Sequence, residues 1–335
     1  MKKILLILSI SVIISACGSS KNINLKTPVL NNAGQNAALE MPNASSVQIA
    51  LDVEYLASDE LKGRDTGSEG IEKAAIYLSE RFSELGILPY RGSYMDHFEL
   101  EEIEAFNVVA MIPGTDKDLM NEIVVIGAHY DHIGMTPEAD VAGDTIANGA
   151  NDNATGTATV LAIAANLKKL DFNKRTIVFA LFSAEEKGLL GSKHLAQVMK
   201  KEGADVVAMI NFEMTGIPML NRPYITYITG HERSNMATVF NTENKDLVVT
   251  GKLDQAAAFK LFMRSDNYPF YQEFNVPSHT FSTFDFTNFD HYHKVGDEVS
   301  LVNINHMTQV IDALMPGVFK VVNGDKLKLT ALITE

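Results

Sequence analysis

The chain has 335 residues, 46% of them hydrophobic, which is enough to bury a large α/β core. Its 42 acidic against 28 basic side chains set a formal charge of −14 that repels phosphate backbones, and no basic stripe with interleaved aromatics argues for nucleic acid as a partner. A single cysteine rules out an intrachain disulfide, so stability must come from the core and from any bound metal.

In chain order, residues 1–16 read as an export signal. Lys2 and Lys3 precede an apolar run over 4–14, and the small residues Ser15 and Ala16 stand before the expected cut. The run is too short to span a bilayer as a mature helix. Ile14-Ser15-Ala16-Cys17 resembles the lipobox of bacterial lipoproteins. That resemblance implies an acylated Cys17, an exported chain held at the bacterial cell envelope by lipid, and a tether over 17–44. No repeat or composition break divides the chain beyond the tether, so one domain is expected over 45–327, with a short tail over 328–335.

Apolar residues at helical spacing predict helices over 47–58 and 68–85, the second closed by Gly86. Short β-branched runs at 107–112, 122–128, 176–182 and 206–210 read as central strands. Helical segments over 154–170 and 189–201 fall between them, and 304–322 closes the domain. This alternation predicts an α/β fold with crossover helices on a largely parallel sheet, whose ligands bind outside the carboxyl ends of the strands.

The residues that can carry chemistry stand at those ends. His129-Tyr130-Asp131-His132 follows the second strand, Glu185-Glu186 the third, and Asn211-Phe212-Glu213 the fourth. The loop Asn151-Asp152-Asn153 and the run His291-Tyr292-His293 join them. Imidazole and carboxylate are ligand types that zinc accepts. His129 and Asp131, two apart on extended backbone, share a side, so the carboxylate can fix the imidazole tautomer. Adjacent Glu185 and Glu186 diverge, which lets one bind metal while the other faces water as a base. Four carboxylates, Asp152, Glu185, Glu186 and Glu213, roughly balance two divalent ions.

In this order the motifs resemble the zinc aminopeptidase and glutamate carboxypeptidase family, metallopeptidase family 28, from about residue 53 to about 301. The opening also matches, through Tyr55-Leu56-Ala57-Ser58 and Gly63-Arg64-Asp65-Thr66-Gly67-Ser68. The resemblance implies a three-layer αβα zinc-exopeptidase (phosphorylase/hydrolase-like) fold with a mostly parallel central mixed sheet. It implies two Zn2+ per chain: His129 on one, Asp152 bridging both, Glu186 and Glu213 on one each, and His293 completing the site. Glu185 is then the general base, Asp131 orients His129, and a non-proline cis peptide follows Asp152. Peptides are the implied substrates, with Asp266, Asn267 and Tyr268 as candidate contacts.

Some positions depart from the family pattern. Many relatives carry aspartate at Glu213 and histidine at Asn267. The usual His-Thr-Pro-x-Asp ending reads His293-Lys294-Val295-Gly296-Asp297, which leaves His291 as a rival ligand. His231-Glu232 begins an H-E-x-x-H pattern, but Asn235 fills the second histidine position, and no G-x-S-x-G, Walker or G-x-G-x-x-G motif is present. Met209, Met214 and Met219 read as core or pocket filling. Removal of N-terminal residues from peptides is the expected activity, since the inserted domains of large carboxypeptidase relatives are lacking. The alternatives are a one-zinc glutaminyl cyclase on the same fold and a non-catalytic peptide-binding lipoprotein.

Overall fold

The computed structural model describes residues 40–330, apart from 102, 138, 140, 141, 245 and 246. The 1–16 signal, Cys17 and nearly all of the 17–44 tether lie outside the described residues, as do residues 331–335. The chain divides into residues 1–40 and 41–335, and the fold is that of the second unit.

Helix α1 (Ser46–Leu56) starts where Ser45 Oγ accepts the Gln48 N–H, and α2 (Glu69–Glu84) where Ser68 Oγ accepts that of Ile71. Ile71, Ala74, Ala75, Leu78 and Phe82 are buried on α2 at three- and four-residue spacing, and Gly86, at φ +65°, turns the chain out of the helix. Strands β1 (Leu88–Pro89), β2 (Met95–Leu100) and β3 (Ile103–Ile112) come next. Strand and helix then alternate as the sequence predicts: β4 (Glu122–His129), α3 (Thr155–Leu170), β5 (Thr176–Phe182), α4 (Leu190–Lys201) and β6 (Asp205–Glu213). After these stand β7 (Thr226–Ile228), α5 (Met236–Thr242), β8 (Thr250–Gly251), α6 (Asp254–Ala258), α7 (Asn267–Phe274) and β9 (Ser278–Ser282). The closing helix is α8 (Ile304–Asn323).

Among the described residues the strands form one nine-stranded sheet, ordered β1-β3-β5-β4-β6-β9-β7-β8, with β2 paired to β3. The central run β5-β4-β6-β9 is parallel, while β3 pairs antiparallel with β1, β2 and β5, and β7 with β9. Alternation along β4 supplies two cores. Val124, Ile126 and Ala128 pack in a cluster with residues of α1, α2, α3 and α8, whereas Ile123 and Val125 pack with Leu195, Ala196 and Met199 of α4 and Phe270 of α7. The result is a three-layer αβα arrangement in which each fully buried large apolar side chain contributes roughly 1.5–3 kcal/mol.

Two boundaries shift from the sequence expectation. Ala44 N–H donates to Asp312 Oδ1 (2.7 Å), so packing begins just ahead of residue 45. Residues 328–330, read as tail, are held by Asn235 N–H donating to Lys328 O (3.0 Å) and Thr330 N–H to Arg233 O (2.8 Å). The boundary at 327 therefore falls inside the packed chain.

Candidate metal centre

Three neighbouring parallel strands deliver side chains to one edge of the sheet. His129 ends β4, Glu213 ends β6, and Glu185 and Glu186 follow β5 after a two-residue turn. That turn passes through Ala184 at φ +55°, and Met214 just beyond Glu213 has φ +50°. Neither residue has glycine's freedom at positive φ, so the surrounding structure must hold both turns. Asp152 comes from the turn Ala150–Ala154 ahead of α3, and the Asp152–Asn153 peptide is cis. His293, at φ +56°, comes from the loop before α8.

The side chains converge. His129 Nε2 lies 3.4 Å from Asp152 Oδ1, while His293 Nε2 lies 3.2 Å from Asp152 Oδ2 and 3.1 Å from Glu186 Oε2. Asp152 thus offers a different oxygen to each imidazole. Ligand atoms of His129, Asp152 and Glu186 all fall within 4.8 Å of one another. Glu213 accepts a hydrogen bond from Ser265 Oγ through Oε2. His291 instead packs its ring against Phe289, with centroids 5.7 Å apart, so the structure brings His293 to the cluster.

A second set of contacts fixes these groups. Asp131 accepts the N–H groups of Glu185 and Glu186 on its two oxygens, both at 3.2 Å, and its Oδ1 lies 3.7 Å from His129 Nδ1. His129 Nδ1 itself pairs with the Asp131 backbone carbonyl (3.2 Å), so Asp131 holds the imidazole through its backbone and the acidic turn through its carboxylate. Asp297 Oδ1 and Oδ2 accept the N–H groups of Asn151 (2.7 Å) and Asp152 (2.9 Å). Asn153 Oδ1 accepts from Gly156 and Met214, both at 3.0 Å, tying the Asp152 turn to the end of β6. The fully buried Arg64 donates to Tyr130 O (2.7 Å), Asn148 O (2.7 Å), Gly149 O (2.9 Å) and Leu56 O.

Electrostatics follow from packing carboxylates and imidazoles together. Burial raises Glu185 well above the usual carboxylate range, and Asp266, Glu213 and Glu186 push it further up against the pull of His129. Burial also raises Glu213. For Glu186 burial acts upward too, but the adjacent His132 and His293 imidazoles overcome it and hold the group low. Burial disfavours charge on His129, yet Glu185, Asp131 and Asp152 reverse the effect and raise it well above its ordinary value; His293, beside Asp152 and Glu186, rises to about 10.

The donors suit a metal. Asp152 Oδ2, Glu186 Oε1 and His293 Nε2 are buried and, although each lies near an imidazole or carboxylate neighbour, none has a hydrogen bond of good geometry, which is costly without a further partner. Imidazole nitrogens and carboxylate oxygens are the donor set of catalytic zinc sites. A cavity of about 90 Å³ opens on the cluster, walled by Met214, Tyr227, Phe284, Phe286 and Tyr292, with Arg264 also on its lining.

The segment expected to touch substrate is placed differently. Asp266 is fully buried rather than on the cavity lining, and burial raises it to about 7. Asn267 spends its amide on Phe262 O and Ser278 O (both 3.1 Å) and accepts from Thr280 Oγ1 (2.8 Å), so it braces α7 against β9. Tyr268 packs its ring on Phe262 and Tyr271. Arg264 and Ser265, immediately upstream, line the cavity instead. Sequence reasoning also gave no role to His132, a fully buried imidazole whose Nδ1 lies 3.2 Å from Glu186 Oε1. Its place beside the His129–Asp131 pair was the available signal.

The model of Peptidase family M28 matches residues 107–317. Leucine aminopeptidase 1 of Emericella nidulans is 28% identical over 222 residues, which is 61% of this chain and 52% of that protein. The chain spans about half the length of the curated relatives it matches. Among solved structures, a zinc aminopeptidase from Bacillus subtilis aligns with TM-score 0.65 at 16% identity, over 85% of this chain and 97% of that one. The glutaminyl cyclase of Porphyromonas gingivalis aligns with TM-score 0.62 at 16% identity, over 83% and 99%. At such identities the likeness is one of fold, and both share this mixed-sheet α/β architecture.

Proposed function

The chain belongs to peptidase family M28, and from that premise we propose that it is a metallo-exopeptidase that removes N-terminal residues from peptides, with two zinc ions bound per chain. The observation that carries the reading is Asp152, whose two oxygens face His129 and His293 separately. His129 and Glu213 would hold one ion, His293 and Glu186 the other, and Asp152 both. Such ions, when bound, polarise a carbonyl and acidify water.

The chain's own groups supply the rest. Glu185 lines the cavity, and its raised pKa suits a base that takes a proton from the attacking water and returns it to the leaving amine nitrogen. Asp131 keeps the Glu185 backbone in place through its carboxylate and the His129 ring through its backbone carbonyl. The carboxylates of the floor attract a cationic peptide N-terminus, and the apolar wall excludes water around the scissile bond. Tyr292 keeps its phenolic proton, since burial and then Asp152, Glu213 and Glu186 raise its pKa.

A panel of aminoacyl-nitroanilides tests the activity. Hydrolysis of free-amine substrates, with N-acetylated counterparts resistant, is the expected result. Cyclisation of an N-terminal glutamine without release of any residue would move the chain to the cyclase reading, and metal binding with neither reaction would leave a peptide-binding role. For location, the proposal is export and lipid attachment through Cys17 at the bacterial cell envelope, supported by the lipobox resemblance alone. Incorporation of labelled fatty acid that Cys17→Ser abolishes is expected, and equal labelling of the variant would refute the anchor.

A further inference from the structure

The cavity above the cluster is chemically two-sided. Its floor carries Asp152, Glu185, Glu186 and Glu213, and its only cationic lining residue among those described is Arg264. Arg264 stands next to Ser265, whose hydroxyl donates to Glu213, and its own N–H donates to Leu261 O (3.0 Å), so its backbone is fixed at the edge of the site.

The state of its side chain separates it from every other arginine. Arg64 serves four carbonyls, Arg81 pairs with Asp52 and Glu84, Arg91 with Asp96 and Glu202, Arg175 with Glu122, and Arg222 with Asp285. Arg233 stacks over Phe262 at 4.5 Å. Arg264 is exposed, and among the described residues its guanidinium has no hydrogen bond, ion pair or ring contact. In a chain of formal charge −14, acidic partners are abundant, and this arginine is nevertheless left open where substrate enters.

We propose that Arg264 is a specificity residue that receives a carboxylate of the substrate. The planar guanidinium fork matches a carboxylate in a two-point, charge-assisted contact. With the substrate ammonium drawn to the acidic floor, the arrangement fits a short zwitterionic or acidic peptide. The carboxylate has two sources: the free C-terminus of a dipeptide, or an acidic side chain on the residue being removed. This inference rests on the exopeptidase reading and narrows its substrate class.

The test compares kcat/KM for the full chain and for Arg264→Gln and Arg264→Lys on two matched pairs. Leu-Gly against Leu-Gly-amide isolates the C-terminal carboxylate, and Glu-nitroanilide against Gln-nitroanilide isolates the side chain. The wild type is expected to favour the carboxylate member of one pair by about 10-fold, the scale of one charge-assisted hydrogen bond. Arg264→Gln should erase that preference mainly through KM, with Arg264→Lys restoring part of it. The pair that responds identifies the source. Absence of a preference in both pairs, or a preference that survives Arg264→Gln, overturns the inference while leaving the exopeptidase reading standing. Hydrolysis of none of the four by the wild type defeats both.

Discussion

The Asp297 carboxylate accepts two successive N–H groups of the turn that carries Asp152, and burial raises its pKa to about 6. It touches neither imidazole, but it sets where the Asp152 oxygens point. Partners at this remove typically change metal affinity by 10- to 100-fold when lost. Asp297→Ala is accordingly expected to weaken zinc binding by about that factor in a competition titration against a chelator; unchanged affinity would show that the turn holds itself. Glu185 is the complementary case. Glu185→Gln keeps the shape and removes the carboxylate proposed as base, so kcat should fall by about 10²–10⁴-fold with zinc content unchanged. Retention of activity would give the proton transfer to another group.

At the scale of elements, Arg64 ties three segments into one unit: the end of α1 through Leu56 O, the chain after β4 through Tyr130 O, and the turn at Asn148 and Gly149. Burial lowers its pKa only to about 10, so it remains charged at neutral pH. Removing it orphans several buried carbonyls at about 1–3 kcal/mol each. Arg64→Met is expected to lose at least about 3 kcal/mol in urea unfolding, and a loss under about 1 kcal/mol would contradict the role. The elements were unevenly legible in sequence. β4, β5 and β6 are buried on both faces and spell continuous apolar runs, so their ends, and with them His129, Glu185, Glu186 and Glu213, could be found by reading. β9 has the sequence Ser-His-Thr-Phe-Ser, yet all five residues are buried, satisfied by contacts such as Thr280 to Asn267 that no local pattern reveals. The same holds for Arg64 with Gly149 and Asp297 with Asp152, whose partners lie far apart in the chain. Asn267 misled for a related reason: Arg264 and Ser265 just upstream line the cavity, but its own amide is consumed in packing.

At the scale of the whole molecule, acid stability depends in part on His279, buried in β9. Its Nδ1 donates to Thr229 O (2.8 Å), which leaves Nε2 to accept from Ser234 Oγ (2.7 Å), and burial lowers its pKa to about 4. The unfolded chain takes up this proton near pH 6.5 and the folded chain only near 4, so stability is full above about 6.5 and declines as pH falls through that window. The contribution is about 3 kcal/mol. Unfolding free energies at pH 7, 5.5 and 4.5 should therefore fall less steeply in His279→Gln than in the wild type, and parallel slopes would contradict the assignment.

Asp152 is proposed to serve two ions in one hydrolytic site. The most direct measurement strips the protein with a chelator and titrates zinc back while following both bound metal and hydrolysis of leucine-nitroanilide. The expected result is binding that saturates at two zinc ions per chain, with full activity reached only at that point and both ions weakened in Asp152→Asn. Saturation at a single ion with no hydrolysis, or no zinc binding at all, would contradict the account.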